Sequence, residues 1–195
     1  MIRCLALVFL VFASVADAQE LPALYDVYDV AANDVLNVRA EPTSASAIIG
    51  VLTPDAQNVE VVRTHKGWAL LNVGEQAGWA SMRYLTLSAN QLEGGLPESC
   101  YGTEPFWSLS HGAYLFFDGL GEGTIRYKIV EQGVSANWNT HSFIKATSQT
   151  NSVTAIIRPA ACNDGMSDRQ FGFSVDVLAN INGRTTLLTG CCSIR

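Results

Sequence analysis

What this chain lacks narrows its identity first. Its 195 residues hold only 12 Lys and Arg against 18 Asp and Glu, a formal net charge of −6, and no basic tract. A protein that neutralises phosphates needs the opposite balance, so nucleic-acid binding is not expected. There is no Cys-x-x-Cys pair, and His65, His111 and His141 are scattered, so the sequence predicts no metal site and no cofactor. No stretch approaches the ~20 apolar residues that a spanning helix needs. Nor does any segment beyond residue 18 show a sustained helical period with caps at both ends. What is present is 48% hydrophobic residues, enough for one ordinary core or two small ones.

Residues 1–18 read Met1-Ile2-Arg3, then the run Leu5 to Val15, then Ala16-Asp17-Ala18. A positive start, a short apolar stretch and a small-x-small site make a secretory signal, cleaved near Ala18-Gln19. The mature chain is therefore expected to be periplasmic or secreted, with no stable membrane span. Cys4 lies ahead of the apolar run, which argues against a lipid-modified terminal cysteine. Cleavage leaves Cys100, Cys162, Cys191 and Cys192, an even set in an exported protein, where disulfides persist. A bond between the adjacent Cys191 and Cys192 would strain the ring. Cys100 and Cys162 are each expected to take one of the two, in either order.

Residues 88–97 read as a polar Gly- and Pro-containing link between residues 24–87 and 98–195. Residues 19–97 carry nine acidic and four basic side chains, whereas 98–195 carry eight and seven, so the acidity sits in the first half. That half alternates apolar and polar residues in Leu36 to Arg39, Val59 to Val62 and Trp68 to Val73, with Glu41-Pro42-Thr43 and Lys66-Gly67 as turns. Short strands at this spacing predict a small barrel in which Trp68, Trp79 and Tyr84 supply much of the buried area. The competing reading has these aromatics floor a ligand groove, with Asn37 and Arg39 at its edge. Arg39 is expected to serve as a structural ion-pair or backbone-bonding residue rather than as a ligand contact.

The motifs Leu36-Asn37-Val38-Arg39-Ala40-Glu41-Pro42, Ile48-Ile49-Gly50-Val51-Leu52, Gly67-Trp68-Ala69 and Gly78-Trp79-Ala80-Ser81-Met82-Arg83-Tyr84-Leu85 occur in this order. Together they resemble a bacterial SH3 domain over roughly residues 24–87. The resemblance implies a five- to seven-stranded SH3-like barrel of the kind attached to exported proteins and linked to cell-wall or peptide binding. It implies no catalysis.

The second half alternates again over Ala113 to Phe117, Thr124 to Ile129, Val153 to Ile157, Phe171 to Val177 and Thr185 to Leu188. Phe171, Phe173, Val175 and Val177 share one face, with Gly172, Ser174 and Asp176 opposite, as in a half-buried strand. Asp118-Gly119 and Asn182-Gly183 are expected hairpin turns. An all-β protein follows, with a disulfide-stabilised antiparallel barrel or sandwich as its second domain. Gly102-Thr103-Glu104-Pro105-Phe106-Trp107, Cys162 to Arg169 and Gly190-Cys191-Cys192 resemble a family of exported bacterial domains of uncharacterised function. Its members often carry Tyr-Pro where this chain has Gln170-Phe171.

Glu104, Trp107, Asp164, Asp168 and Arg169 are the candidate site residues of this half. Paired carboxylates can do acid-base work or hold a hard cation, but Asn163 to Asp168 lacks the spacing and closing Glu of a calcium loop. Ser167 fails the Gly-x-Ser-x-Gly elbow because Arg169 stands where the second Gly belongs. Asp164-Gly165 reads as a turn, Asp168 as a partner for Arg169 or a backbone cap, and Trp107 as core. The sequence therefore points to a non-catalytic envelope protein whose partner is peptidoglycan or an envelope protein. Two alternatives stand beside it: an inhibitor acting through the second domain, and a hydrolase of unknown type centred on Glu104, Asp164, Asp168 and Arg169.

Overall fold

The computed structural model describes residues 20–91, 96–137 and 140–194. The expected signal segment, its cleavage point and the middle of the link lie outside the described residues.

Eight strands precede the link: β1 (Ala23–Val27), β2 (Leu36–Arg39), β3 (Ile48–Leu52), β4 (Val59–Val61), β5 (Arg63–His65), β6 (Trp68–Val73), β7 (Gln76–Ser81) and, after a single 3-10 turn at Met82–Tyr84, β8 (Leu85–Leu87). They form one sheet in the order β4-β1-β8 and another in the order β3-β2-β7-β6-β5. The count exceeds the expected seven because the chain switches sheets at Val62. On one side of it β4 pairs with β1, on the other β5 pairs with β6, and the Val62 N–H donates to Leu70 O at 2.9 Å.

Leu36, Val38, Ala69, Leu71 and Ala80 of the larger sheet pack against Ala23, Tyr25, Val59, Val61 and Leu85. This corrects the expectation of an aromatic core. Trp68 and Trp79 are only half-buried and lie outside the cluster, while Tyr84 packs at its margin. Strand parity is the reason: with Ala69, Leu71 and Ala80 turned inward, the neighbouring tryptophans face the other side of the sheet.

The second half contributes β9 (Ser99–Gly102), β10 (Trp107–His111), β11 (Leu115–Gly119), β12 (Thr124–Val134), β13 (Ser142–Ser148), β14 (Asn151–Cys162), β15 (Phe171–Ile181) and β16 (Arg184–Ser193). Each pairs antiparallel with the next, and β16 closes on β9, giving an eight-stranded closed barrel. Eight strands leave an interior that side chains fill, here Leu109, Leu115, Phe117, Tyr127, Ile144, Val153, Val175 and Val177 among others. Asn182-Gly183 is a hairpin turn with φ of 53° and 79°, as expected. Asp118-Gly119 is not: both residues belong to β11, and the turn falls at Leu120–Gly123. Two disulfides, Cys100–Cys192 and Cys162–Cys191, give each vicinal cysteine its own partner.

The two halves are joined by more than the link. Leu24 of β1 and Leu96 belong to the barrel's core cluster, and Gln91 holds both the N–H and the C=O of Leu24 with its side-chain amide. The loop between β14 and β15 reaches the β6–β7 hairpin, where Asp168 forms a parallel bridge with Gln76. Asn72 grips the same loop twice, donating from Nδ2 to Gln170 O at 2.8 Å and accepting the Gln170 N–H on Oδ1 at 3.0 Å. Pro22 lies against Gly172. The expectation of a half-buried β15 is thus corrected at its start, where Gly172 and Ser174 are buried as well.

Candidate functional site

A cavity of about 580 Å³ opens in the first half between the β1–β2 loop, β2 and the 3-10 turn. Trp68 and Tyr84 give it aromatic surface, and Asn37 and Arg39 lie on the β2 side. Both β2 side chains point into it because Leu36 and Val38 are committed to the core only on alternate positions and the strand twists at its end, where the register with β3 shifts between Val38 and Arg39. The Arg39 Nη1 donates to Ser46 O at 2.7 Å, so one end of its guanidinium is fixed by backbone while the group still borders the cavity.

The charge layout was not legible in the sequence. Asp29 and Asp34 of the β1–β2 loop line the same cavity as Arg39 and Arg83. The loop is held in place by backbone: Tyr28 N–H donates to Tyr84 O at 2.9 Å and Asp34 N–H to Ala31 O at 2.9 Å. Arg83 lies over the Tyr84 ring, 5.4 Å from its centroid, which keeps the cation beside the aromatic floor. Its signal was available in Ser81-Met82-Arg83-Tyr84, where a 3-10 turn puts consecutive residues on different sides. Trp79, expected to line the groove with Trp68, shares its face of the sheet but does not line the cavity. It meets the His65 ring edge-on at 6.3 Å and lies under the Arg63 guanidinium at 5.3 Å.

The candidate residues of the barrel do not gather into one constellation. Trp107 is buried, stacked on Phe117 with centroids 6.1 Å apart, in a slot walled by Gly102, Gly119 and Gly190. Glu104 is exposed in the turn after β9. The Asp164 carboxylate accepts the N–H groups of Met166 and Ser167 at 3.0 and 2.8 Å and the Ser167 hydroxyl at 2.8 Å. Burial alone would raise its pKa, but these bonds and the Arg169 charge outweigh burial and hold it below the ordinary value. Thr103 donates its hydroxyl to Asp164 O at 2.7 Å, tying the first motif to the second. Asp168 acts through backbone: its N–H donates to Glu75 O and its C=O accepts from Ala77 N–H. It forms no ion pair with Arg169, one of the two roles expected of its side chain.

Among the described residues no three His, Cys, Asp or Glu side chains converge as a metal site, and no helix is long and apolar enough to cross a membrane. No curated protein and no solved structure matches the chain. Residues 34–86, which carry β2 to the 3-10 turn and most of the cavity wall, match the bacterial SH3 domain family.

Proposed function

We propose that this is an exported, non-catalytic binding protein whose first module recognises a cell-wall peptide or a related envelope peptide in the cavity of Trp68 and Tyr84. The observation that carries the reading is that Asp29, Asp34, Arg39 and Arg83 line one cavity together with Trp68 and Tyr84. Such a groove suits a short chain bearing both amines and carboxylates, as wall stem peptides do, because each charge meets its complement while the aromatic faces take the apolar parts. Two disulfides and the signal-like residues 1–18 support an oxidising location.

The test is co-sedimentation of the oxidised protein with purified peptidoglycan sacculi, with soluble muropeptides as competitor. Trp68→Ala and Arg83→Ala should each weaken retention by about tenfold, equivalent to ~1.4 kcal/mol. Trp79→Ala should leave it unchanged, since Trp79 is not among the residues that line the cavity. Failure of the folded wild-type protein to sediment at any salt concentration would sink the proposal.

A further inference from the structure

A second cavity, about 280 Å³, lies where the two halves meet, lined by Leu52, Val59, Glu60 and Asn72 from the first and by Arg169 and Ser193 from the barrel. Its two charged groups are in contrasting states. Glu60 is well held: its carboxylate accepts the Ser193 hydroxyl and, at 3.4 Å, the Ile194 N–H. Arg169 is not. Its guanidinium lies over the Phe171 ring at 5.1 Å, and its Nε is buried with no acceptor. Glu60 and Asp164 both feel its charge, yet neither carboxylate comes within ion-pairing distance.

A buried guanidinium donor without an acceptor is costly, and a carboxylate facing it across a gap could have closed that gap by a rotamer change. Glu60 is prevented from doing so by its bonds to β16, and Asp164 by the turn it organises. The gap is therefore built into both halves. At about 280 Å³ the cavity has room for a ligand of several heavy atoms.

We infer that the junction cavity binds a small zwitterion of the α-amino acid type, its carboxylate on Arg169 and its ammonium on Glu60. A free anion would satisfy Arg169 but face Glu60 at close range, and a free cation would do the reverse. The zwitterion matches both charges, offsets the burial cost of each, and can lay a short side chain on Leu52 and Val59. Clefts at domain junctions are common places for small ligands. Because Arg169 and Glu60 come from different halves, occupancy would also strengthen their docking.

The experiment follows the side-chain Nε–H signals of the full oxidised protein by two-dimensional 15N NMR while glycine, L-alanine and D-alanine are added separately. Acetate, ethylammonium and inorganic phosphate serve as single-charge controls. One Arg Nε–H signal, assigned to Arg169 by its loss in Arg169→Lys, should shift saturably with at least one amino acid, at a concentration at least tenfold below that needed for any control. Glu60→Gln should abolish the response, with an unchanged backbone spectrum showing that the fold is retained. If that variant does not fold, soaked wild-type crystals decide the question. An amino acid bridging Glu60 and Arg169 supports the site, and water alone there overturns it. No saturable shift, or acetate or phosphate binding as well as alanine, also overturns it.

Discussion

Replacing Gly102 by Ala tests whether the Gly102-to-Trp107 motif is packing or chemistry. A Cβ at Gly102 would stand 1.9 Å from Trp107 Nε1, 2.4 Å from Cε2 and 2.8 Å from Cδ1, so its three nearest neighbours all belong to one indole. Gly102 does not have a left-handed φ, and the alanine carries no backbone penalty of that kind. The indole cannot move freely, because Gly190 lies against its ring, Phe117 is stacked on it and Gly119 packs against the Trp107 Cβ. Overpacking of this sort costs about 1–3 kcal/mol, and the 1.9 Å approach puts Gly102→Ala near ~3. Trp107→Phe removes the colliding atoms at a cost of its own, about 1–2 kcal/mol for the lost ring. In that background Gly102→Ala should cost under ~1 kcal/mol, a coupling of roughly 2 kcal/mol in a double-mutant cycle read from urea midpoints. Equal cost of Gly102→Ala in both backgrounds would refute the reasoning and leave the motif without a packing explanation.

Three further outcomes follow from the junction and the disulfides. Burial raises the Glu60 pKa, against the opposing pull of Ser193, Ile194 and Arg169. A raised folded-state value means that the stability contributed by Glu60 is fully present below its unfolded pKa and is lost as pH rises through the folded one. Glu60→Gln should therefore flatten the fall of the urea midpoint above about pH 4.5, and an identical pH slope in both proteins would contradict this. Asn72→Ala removes both bonds to Gln170 and should cost about 1–3 kcal/mol, with faster amide exchange at Gln170 and Asp168; unchanged exchange there would show that the loop is held without Asn72. Reducing the bonds Cys100–Cys192 and Cys162–Cys191, which span 92 and 29 residues, should cost about 3–5 kcal/mol each, and an unmoved midpoint in reductant would show that they contribute nothing.

The strands were legible wherever one face is apolar and the other polar, as in Leu36 to Arg39, and the Asn182-Gly183 turn was legible because two residues there must take positive φ. Asp118-Gly119 carried the same dipeptide signal and misled, because Gly119 serves as a wall for Trp107 rather than as a turn. β13 escaped notice: Phe143 lies on the outward side of Ile144 and Ala146, so apolar residues occur on both faces and the alternation is blurred. The aromatics of the first half were weighed by size, whereas the fold sorted them by parity and left the core to Val38, Ala69 and Leu71. In the candidate cavity, Asn37, Arg39, Trp68 and Tyr84 were readable as a group because they fall within motifs. Asp29 and Asp34 come from a loop with no motif, and only the backbone bonds of Tyr28 and Asp34 bring it to the 3-10 turn.

What sequence could least show is why the barrel motifs exist. Asn163 to Gln170 looks like a chemical loop because it concentrates carboxylates, a serine and an arginine, yet nearly every polar group in it is committed to holding shape. Asp164 builds the turn, Ser167 caps Arg169 N–H, Asn163 holds the Arg169 and Ser167 carbonyls, and Asp168 and Gln170 fasten the turn to a hairpin some ninety residues earlier. The Arg169 guanidinium stands apart from this pattern, with its Nε left without an acceptor. The loop thus uses its backbone and short side chains for docking, while Arg169 lines the junction cavity together with Glu60 of the first half. On the proposals made above, a ligand at the junction would act on how the SH3-like module is mounted on the barrel, because Glu60 and Arg169 come from different halves.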